Sequence, residues 1–363
     1  MSIKNFFKKW WLQVKYEPND PKYGRGEIKI VAIGGGTGLS NLLRGLKKYS
    51  RDITAVVAVS DSGRSSGVIR KVFQTLPPGD IRKCLAALSN DEKFLTEIFD
   101  YRFPTGSGFL SGHPLGNIWL AALTQKYGSF EKAIIASKHF LNAGGFVYPS
   151  TLDSVKIAAV FENGRRVVGE EKIPKVAGKI KKVFLTNTGA KAYRKSVEAI
   201  ATADLIIIGP GSLYTSVIPN LLVENIQRAI ANNQNAVRIF VANCSSEKGE
   251  TENMSVADHI EAIKKHSPRR IFDYIIANSR IVKKSSQVNI FGEINNITCH
   301  ESEICGTKVV SRDIINRKNP LFHDPEKLAK EIIILYNSVK DAEKRNVKFQ
   351  ISPQGQQKLD NVK

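Results

Sequence analysis

Residues 28–46, IKIVAIGGGTGLSNLLRGL, decide the fold. Ile28 to Ile33 is a short β-branched run almost free of charge, the composition of a strand buried on both faces of a parallel sheet. Gly34, Gly35, Gly36 and Gly38 then bracket Thr37, and Leu39, Leu42, Leu43 and Leu46 recur at helical spacing. The segment is therefore predicted to run strand, tight turn, helix. Such a turn leaves the first helical N–H groups unpaired at the positive end of the helix dipole, where a phosphate is stabilised, and Thr37 adds a hydroxyl. The spacing G-G-G-T-G-L departs from the dinucleotide fingerprint, so a nicotinamide cofactor is not expected.

A second glycine-rich loop follows the short apolar strand Leu205 to Ile208. Gly209 and Gly211 free its backbone, while Ser212, Tyr214, Thr215 and Ser216 offer hydroxyls to a phosphate or sugar. Two such loops at strand ends predict one crevice lined from two sides. A third loop, Ser60 to Gly67, follows the predicted strand Ile53 to Val59 and places Asp61, Ser65 and Ser66 where open α/β sheets bind ligands. Asp61 either contacts a ribose or a metal-bound water, or caps the turn through its own side chain. In Pro77-Pro78-Gly79-Asp80-Ile81-Arg82, Asp80 is predicted as a helix N-cap, with metal or phosphate contact as the alternative. His113 and Asn117 open a further helix and present donors, although a lone loop histidine is more often packed than catalytic. Asn243 ends the predicted strand Val237 to Ala242.

Elsewhere, Val155 to Phe161, a turn at Glu162-Asn163-Gly164 and Arg166 to Val168 predict an antiparallel insertion. Alternation then resumes with a strand at Val183 to Leu185, a helix at Ala192 to Ala203, one helix from about Asn220 to Asn232, and a last core strand at Tyr274 to Ala277. Asp324 and Pro325 predict a strong helix start, and the polar chain beyond Lys344 is expected to fray.

With 363 residues and 42% hydrophobic content, the chain suits one large α/β domain or two smaller ones. No apolar run approaches the roughly 20 residues of a spanning helix, and no signal-peptide start is apparent. The net charge of +20 attracts anions without choosing among nucleotides, nucleic acid and acidic lipid. Cys84, Cys244, Cys299 and Cys305 form no CxxC pair, which predicts reduced thiols in the cytosol and argues against zinc. Residues 1–16 would, as a helix, place Phe6, Phe7, Trp10, Trp11 and Val14 on one face flanked by lysines. That pattern suits either a membrane interface or a face docked on protein. The chain divides into a basic aromatic extension and linker at 1–26, an α/β domain at 27–343 and a polar tail at 344–363.

GGGTGL (34–39), DSGRSSG (61–67), PPGDIR (77–82), GHPLGN (112–117), PST (149–151), GPGSLYTS (209–216), IPNLL (218–222), GET (249–251) and HDPEKLA (323–329) together resemble the YvcK or gluconeogenesis-factor family. That family is related to the CofD 2-phospho-L-lactate transferases. The resemblance covers about residues 28–340. It implies a Rossmann-like three-layer α/β sandwich with a mostly parallel sheet and a small antiparallel insertion. It also implies a cytoplasmic homodimer that binds UDP-N-acetylglucosamine, or another nucleotide diphosphate, and regulates cell shape and envelope growth on gluconeogenic carbon sources. No cofactor and no specific nucleic acid are implied. Thr37 and the two glycine loops carry over to the diphosphate, and Asn243 and the hydroxyls near Tyr214 to the rest of the ligand. Arg64 and Phe322 depart from the family's pattern, which has a small residue and an arginine at those places. The alternative is a CofD-type transferase using a nucleotide-diphosphate donor, a deazaflavin acceptor and Mg²⁺, with Asp61 and Asp80 as its acids.

Overall fold

The computed structural model describes residues 27–90, 92–282 and 295–351. The aromatic face at 1–16 lies outside the described residues, as does the tail from 352 onward. The central sheet has eight strands. β1 (Ile30–Gly34), β2 (Ile53–Val57) and β3 (Phe146–Pro149) form one half, and β7 (Leu205–Ile208), β8 (Val237–Val241), β9 (Tyr274–Asn278), β10 (Glu303–Ile304) and β11 (Thr307–Arg312) the other. Their order is β10-β11-β9-β8-β7-β1-β2-β3, and every pairing is parallel except β10 with β11. Every residue of β1, β2, β7 and β8 is buried, as continuous apolar runs in a two-sided parallel sheet must be.

Helices cover the sheet: α1 (Gly36–Leu46), α2 (Arg64–Phe73), α3 (Gly79–Leu88), α4 (Glu92–Asp100), α5 (Leu115–Tyr127), α6 (Phe130–Phe140), α7 (Arg194–Ala201), α8 (Ile218–Leu221), α9 (Glu224–Asn232), α10 (Val256–His266) and α11 (Pro325–Ile351). A separate three-stranded antiparallel sheet, β5-β4-β6, is built from β4 (Ile157–Phe161), β5 (Arg166–Val168) and β6 (Ile180–Leu185). The architecture is the α/β sandwich with a mostly parallel sheet and a small antiparallel insertion.

Several boundaries differ from expectation. Val183 to Leu185 does not resume the βα alternation; it belongs to β6, which pairs antiparallel with β4. Its mixture of buried Ile180, Val183 and Leu185 with exposed Lys181 and Lys182 marks a sheet with one wet face. Tyr274–Asn278 is not the last core strand, because β11 pairs parallel beyond it and shields its edge. The single helix expected from Asn220 is interrupted: a wide turn at Leu213–Val217 leads into α8, and Val223 adopts an extended conformation before α9 begins. Asp80 lies within the first turn of α3 rather than at its cap, which is Pro78. The paired prolines fix the entry so that Gly79 is already helical, and Asp80 Oδ2 reaches toward Gly35. The Asp324 cap is as expected, Oδ1 accepting from the amides of Glu326 and Lys327 at 3.0 Å each, and α11 continues to Ile351.

α11 packs directly on α1, and Gly45 permits this. A Cβ at Gly45 would stand 2.0 Å from the Pro325 carbonyl oxygen and 2.7 Å from Ala329 Cβ. Gly45→Val should force the two helices apart and destabilise the domain by about 1–3 kcal/mol, the range for an overpacked core. Urea unfolding followed by circular dichroism measures it, and an unchanged midpoint would show that α11 does not need this close approach.

Candidate functional site

The order of the strands locates the site. From β1 the chain winds outward through β2 to β3, then returns to lay β7 on the other flank of β1 and continues to β8, β9 and β11. The carboxyl ends of β1 and β7 therefore flank the point where the winding reverses, which is where open α/β sheets form a ligand crevice. The two glycine-rich turns are the segments that leave these two strands.

They meet closely. Gly209 N donates to the Ile33 carbonyl at 2.8 Å, and a Cβ on Gly38 would lie 2.8 Å from the Pro210 carbonyl oxygen and 3.1 Å from Gly211 N. Only glycine at 38 lets α1 start against the second turn. The Gly209–Pro210 peptide is cis. Gly35, the cap residue of α1, is extended and receives no side-chain cap, and no acid lies in the first turn. The amides of that turn are thus left to the crevice, with Thr37 exposed beside them. Beneath, Asn220 Nδ2 donates to the carbonyls of Gly34 (3.0 Å) and Ser216 (2.8 Å) and ties the two turns together.

Carboxylates form the rest of the wall. Asp80 Oδ2 stands 2.9 Å from where a side chain on Gly35 would begin, and Lys83 Nζ lies 3.5 Å from Asp80 Oδ1. Asp61 accepts from Gly63 N at 2.8 Å through Oδ1, the turn-capping role weighed for it, and its Oδ2 faces the Gly79 backbone alongside Ser66 Oγ. On the other flank Ser212 Oγ donates to Glu247 Oε2 at 2.6 Å and Thr215 Oγ1 to Glu250 Oε1 at 3.0 Å. Asn243 accepts from Gly211 N at 3.4 Å and donates to Glu247 Oε1 at 3.3 Å. His323 Nε2 donates to the Ala242 carbonyl at 3.1 Å and supports the turn carrying Asn243; burial lowers its pKa to about 4, so it is neutral.

These acids are not ordinary carboxylates. Burial, reinforced by Glu247, raises Glu250 to about 8, and its Oε2 is enclosed without a partner. Burial likewise raises Glu170 well above its usual range, with Asp61, Asp80 and Glu250 adding to the effect, and burial raises Asp61. At neutral pH Glu250 therefore holds its proton, and the upward shifts of Glu170 and Asp61 make their charged forms harder to reach, which lessens the repulsion an anion would meet here. Among the described residues no three His, Cys, Asp or Glu side chains are grouped to hold a metal ion.

The expected residues divide by place. Gly34, Gly35, Gly36, Thr37, Gly38, Gly209, Gly211, Ser212, Thr215 and Asn243 gather at the switch point, and Asp80, Asp61 and Ser66 extend it along α3. Ser65 and Asn117 belong to a buried network behind: Asn117 Nδ2 donates to Ser65 Oγ at 3.0 Å, and Ser65 Oγ lies 2.7 Å from His113 Nδ1. Tyr214 is buried with its ring edge-on to His266, whose Nε2 accepts from Val183 N of β6. Its contacts therefore join the main sheet to the insertion. Glu170, Glu247 and Asn220 were not anticipated. Glu247 lies between Asn243 and the GET segment at 249–251, but Glu170 comes from the insertion and carries no local signal. The side chain of Arg64 lies outside what the structure describes, and Phe322 sits in a turn closed by its amide donating to the Asn319 carbonyl at 3.1 Å.

Comparison with known proteins bears on the family and the fold. The family described as 2-phospho-L-lactate transferase CofD matches residues 30–315. A protein from a Nostoc species that carries the provisional name gluconeogenesis factor is 46% identical over 314 residues, covering 85% of this chain and 68% of its own. A similarly named Clostridium acetobutylicum protein is 41% identical, covering 84% and 69%. A crystal structure of a Bacillus halodurans protein, described as a member of the UPF0052 family, has a TM-score of 0.78 at 38% identity and covers 85% of this chain and all of that one. The chain belongs to the CofD family and, within it, to the group whose members carry the gluconeogenesis-factor name.

Proposed function

We propose that the crevice binds the diphosphate of a uridine nucleotide sugar, UDP-N-acetylglucosamine, and that the protein senses this ligand without turning it over. In this reading it is a cytoplasmic regulator of cell shape and envelope growth during gluconeogenic growth. The observation that carries the anionic part is the convergence of the two glycine turns, with uncapped amides of α1 facing the Gly211–Ser212 backbone across the Gly38 contact. The uridine, the sugar and the regulatory role rest on the family resemblance. The same resemblance supports a homodimer, and residues 1–16 a peripheral membrane contact.

A second reading, transfer of a phospholactyl-type group to a deazaflavin, draws on one observation. Asp61 and Asp80 share the crevice, and each disfavours ionisation of a neighbouring acid, so one of them is suited to take the acceptor's hydroxyl proton. Titration calorimetry with UDP-N-acetylglucosamine, UDP and GDP separates the readings. Sensing predicts preferential binding of the UDP-sugar with no product, and Gly38→Ala should weaken it about 100-fold, the loss of two charge-assisted amide contacts. Product formed with Mg²⁺, a GDP-linked donor and a deazaflavin would establish transfer instead.

Glu250 makes the binding pH-dependent. Its folded pKa of about 8 exceeds the value of 4.5 in an unfolded chain, so the proton is held more tightly in the fold. Stability contributed by that proton is complete below about pH 4.5 and lost as pH rises toward 8. Ionisation then places a negative charge beside the ligand. Affinity should fall roughly tenfold between pH 7 and 9, and Glu250→Gln should flatten the profile. An unaltered profile in that variant would remove Glu250 from the account. For the amino terminus, deletion of residues 2–16 should abolish co-sedimentation with vesicles rich in anionic lipid; equal partitioning of the shortened chain would exclude the membrane contact.

A further inference from the structure

A cavity of about 1120 Å³ lies apart from the glycine crevice, between α2 and the antiparallel insertion, and contains neither glycine turn. Its charge is lopsided. Arg70, Lys71, Lys156 and Lys172 line it against a single acid, Glu171. That acid is already engaged, accepting a short hydrogen bond from Ser62 Oγ. Arg70 is held in place by Nη2, which donates to Ser154 Oγ at 2.8 Å, while its Nη1 is enclosed with no partner. Thr75 Oγ1, also on the lining, is enclosed and unpartnered too.

Both atoms are shut off from solvent, so neither opens into the cavity; what marks the cavity is its lining of four cations against one engaged acid. The guanidinium selects an anion with several acceptor oxygens, and the surrounding lysines favour a doubly charged one. The lining also carries apolar surface: Leu152 is 42% exposed and Val168 40% exposed. A bare inorganic ion would leave that surface wet. We propose that this cavity is a second ligand site that takes a small organic phosphate, with its phosphate among Arg70, Lys71, Lys156 and Lys172 and its carbon body against Leu152 and Val168.

The site neighbours the crevice without merging with it. Ser62 and Glu171 form part of the cavity wall, and the residues immediately before them, Asp61 and Glu170, belong to the crevice acids. The volume is enough for a phosphorylated sugar or a larger ester.

Phenyl phosphate, which pairs a phosphate with an apolar ring, is the probe, titrated calorimetrically into the full chain alongside inorganic phosphate. Phenyl phosphate should bind more tightly than inorganic phosphate. Arg70→Gln combined with Lys71→Gln should weaken it at least tenfold, and Gly38→Ala should leave it unchanged. Because Arg70 is partly buried, Lys156→Gln with Lys172→Gln at exposed positions provides a second pair with the same expected direction and little risk to folding. Binding that survives both pairs in folded protein, or no binding to the wild-type chain, overturns the inference. Binding lost in Gly38→Ala but kept in both pairs places the probe in the glycine crevice, which refutes the second site and leaves the first intact.

Discussion

The parallel pairing of β1 with both β7 and β2 is the constraint from which the rest follows. Ile30 to Ile33 align with Leu205 to Ile208 on one side and with Ile53 to Val56 on the other. Because the strands are parallel and in register, the turns that leave them emerge at the same end of the sheet. Burial of these continuous aliphatic runs on both faces contributes most of what holds the sheet together, at roughly 25 cal/mol per Å² of apolar surface. The register also decides that the backbone of one glycine turn lies against the other. The crevice is thus a consequence of core packing, and the short side chains at 35, 38, 209 and 211 keep it open.

The chemistry of the crevice departs from what a chain of net charge +20 suggests. Its walls carry acids, and the cations are mostly elsewhere. The resolution lies in burial: carboxyls crowded out of water and against one another ionise less readily, so the walls repel an anion less than their composition suggests and the backbone amides of the turns remain to receive it. A site of this kind gains selectivity from geometry more than from net charge. By contrast the cavity beside α2 is lined by Arg70, Lys71, Lys156 and Lys172 against one engaged acid, a setting suited to a small, highly charged group.

Much of this was legible in the residues, and the part that was not has a physical reason. Apolar runs ending in glycine mark buried strands and ligand turns locally, so the β1 and β7 turns, the loop at Asp61 and the cap at Asp324 were readable from short windows. What depends on distant partners was not. Val183 to Leu185 looks like any short strand, and only its pairing with Ile157–Ala159 assigns it to the antiparallel sheet. β11 has mixed burial and weak patterning because it lies near the edge. Glu170 enters the crevice from the insertion, about a hundred residues after Asp61, and nothing in its neighbours announces that. Tyr214 shares a loop with Ser212 and Thr215 but packs toward His266, a direction set by the wide turn at Leu213–Val217.

The most direct measurement is a two-dimensional NMR titration of chain labelled with ¹⁵N-glycine and ¹⁵N-serine, adding UDP-N-acetylglucosamine and following the backbone amides of Gly36, Gly38, Gly211 and Ser212. If the two turns cradle one diphosphate, all four amides shift together along a single saturation curve. Movement of only one turn, or of neither while the ligand binds elsewhere, would contradict a shared crevice at the junction of β1 and β7.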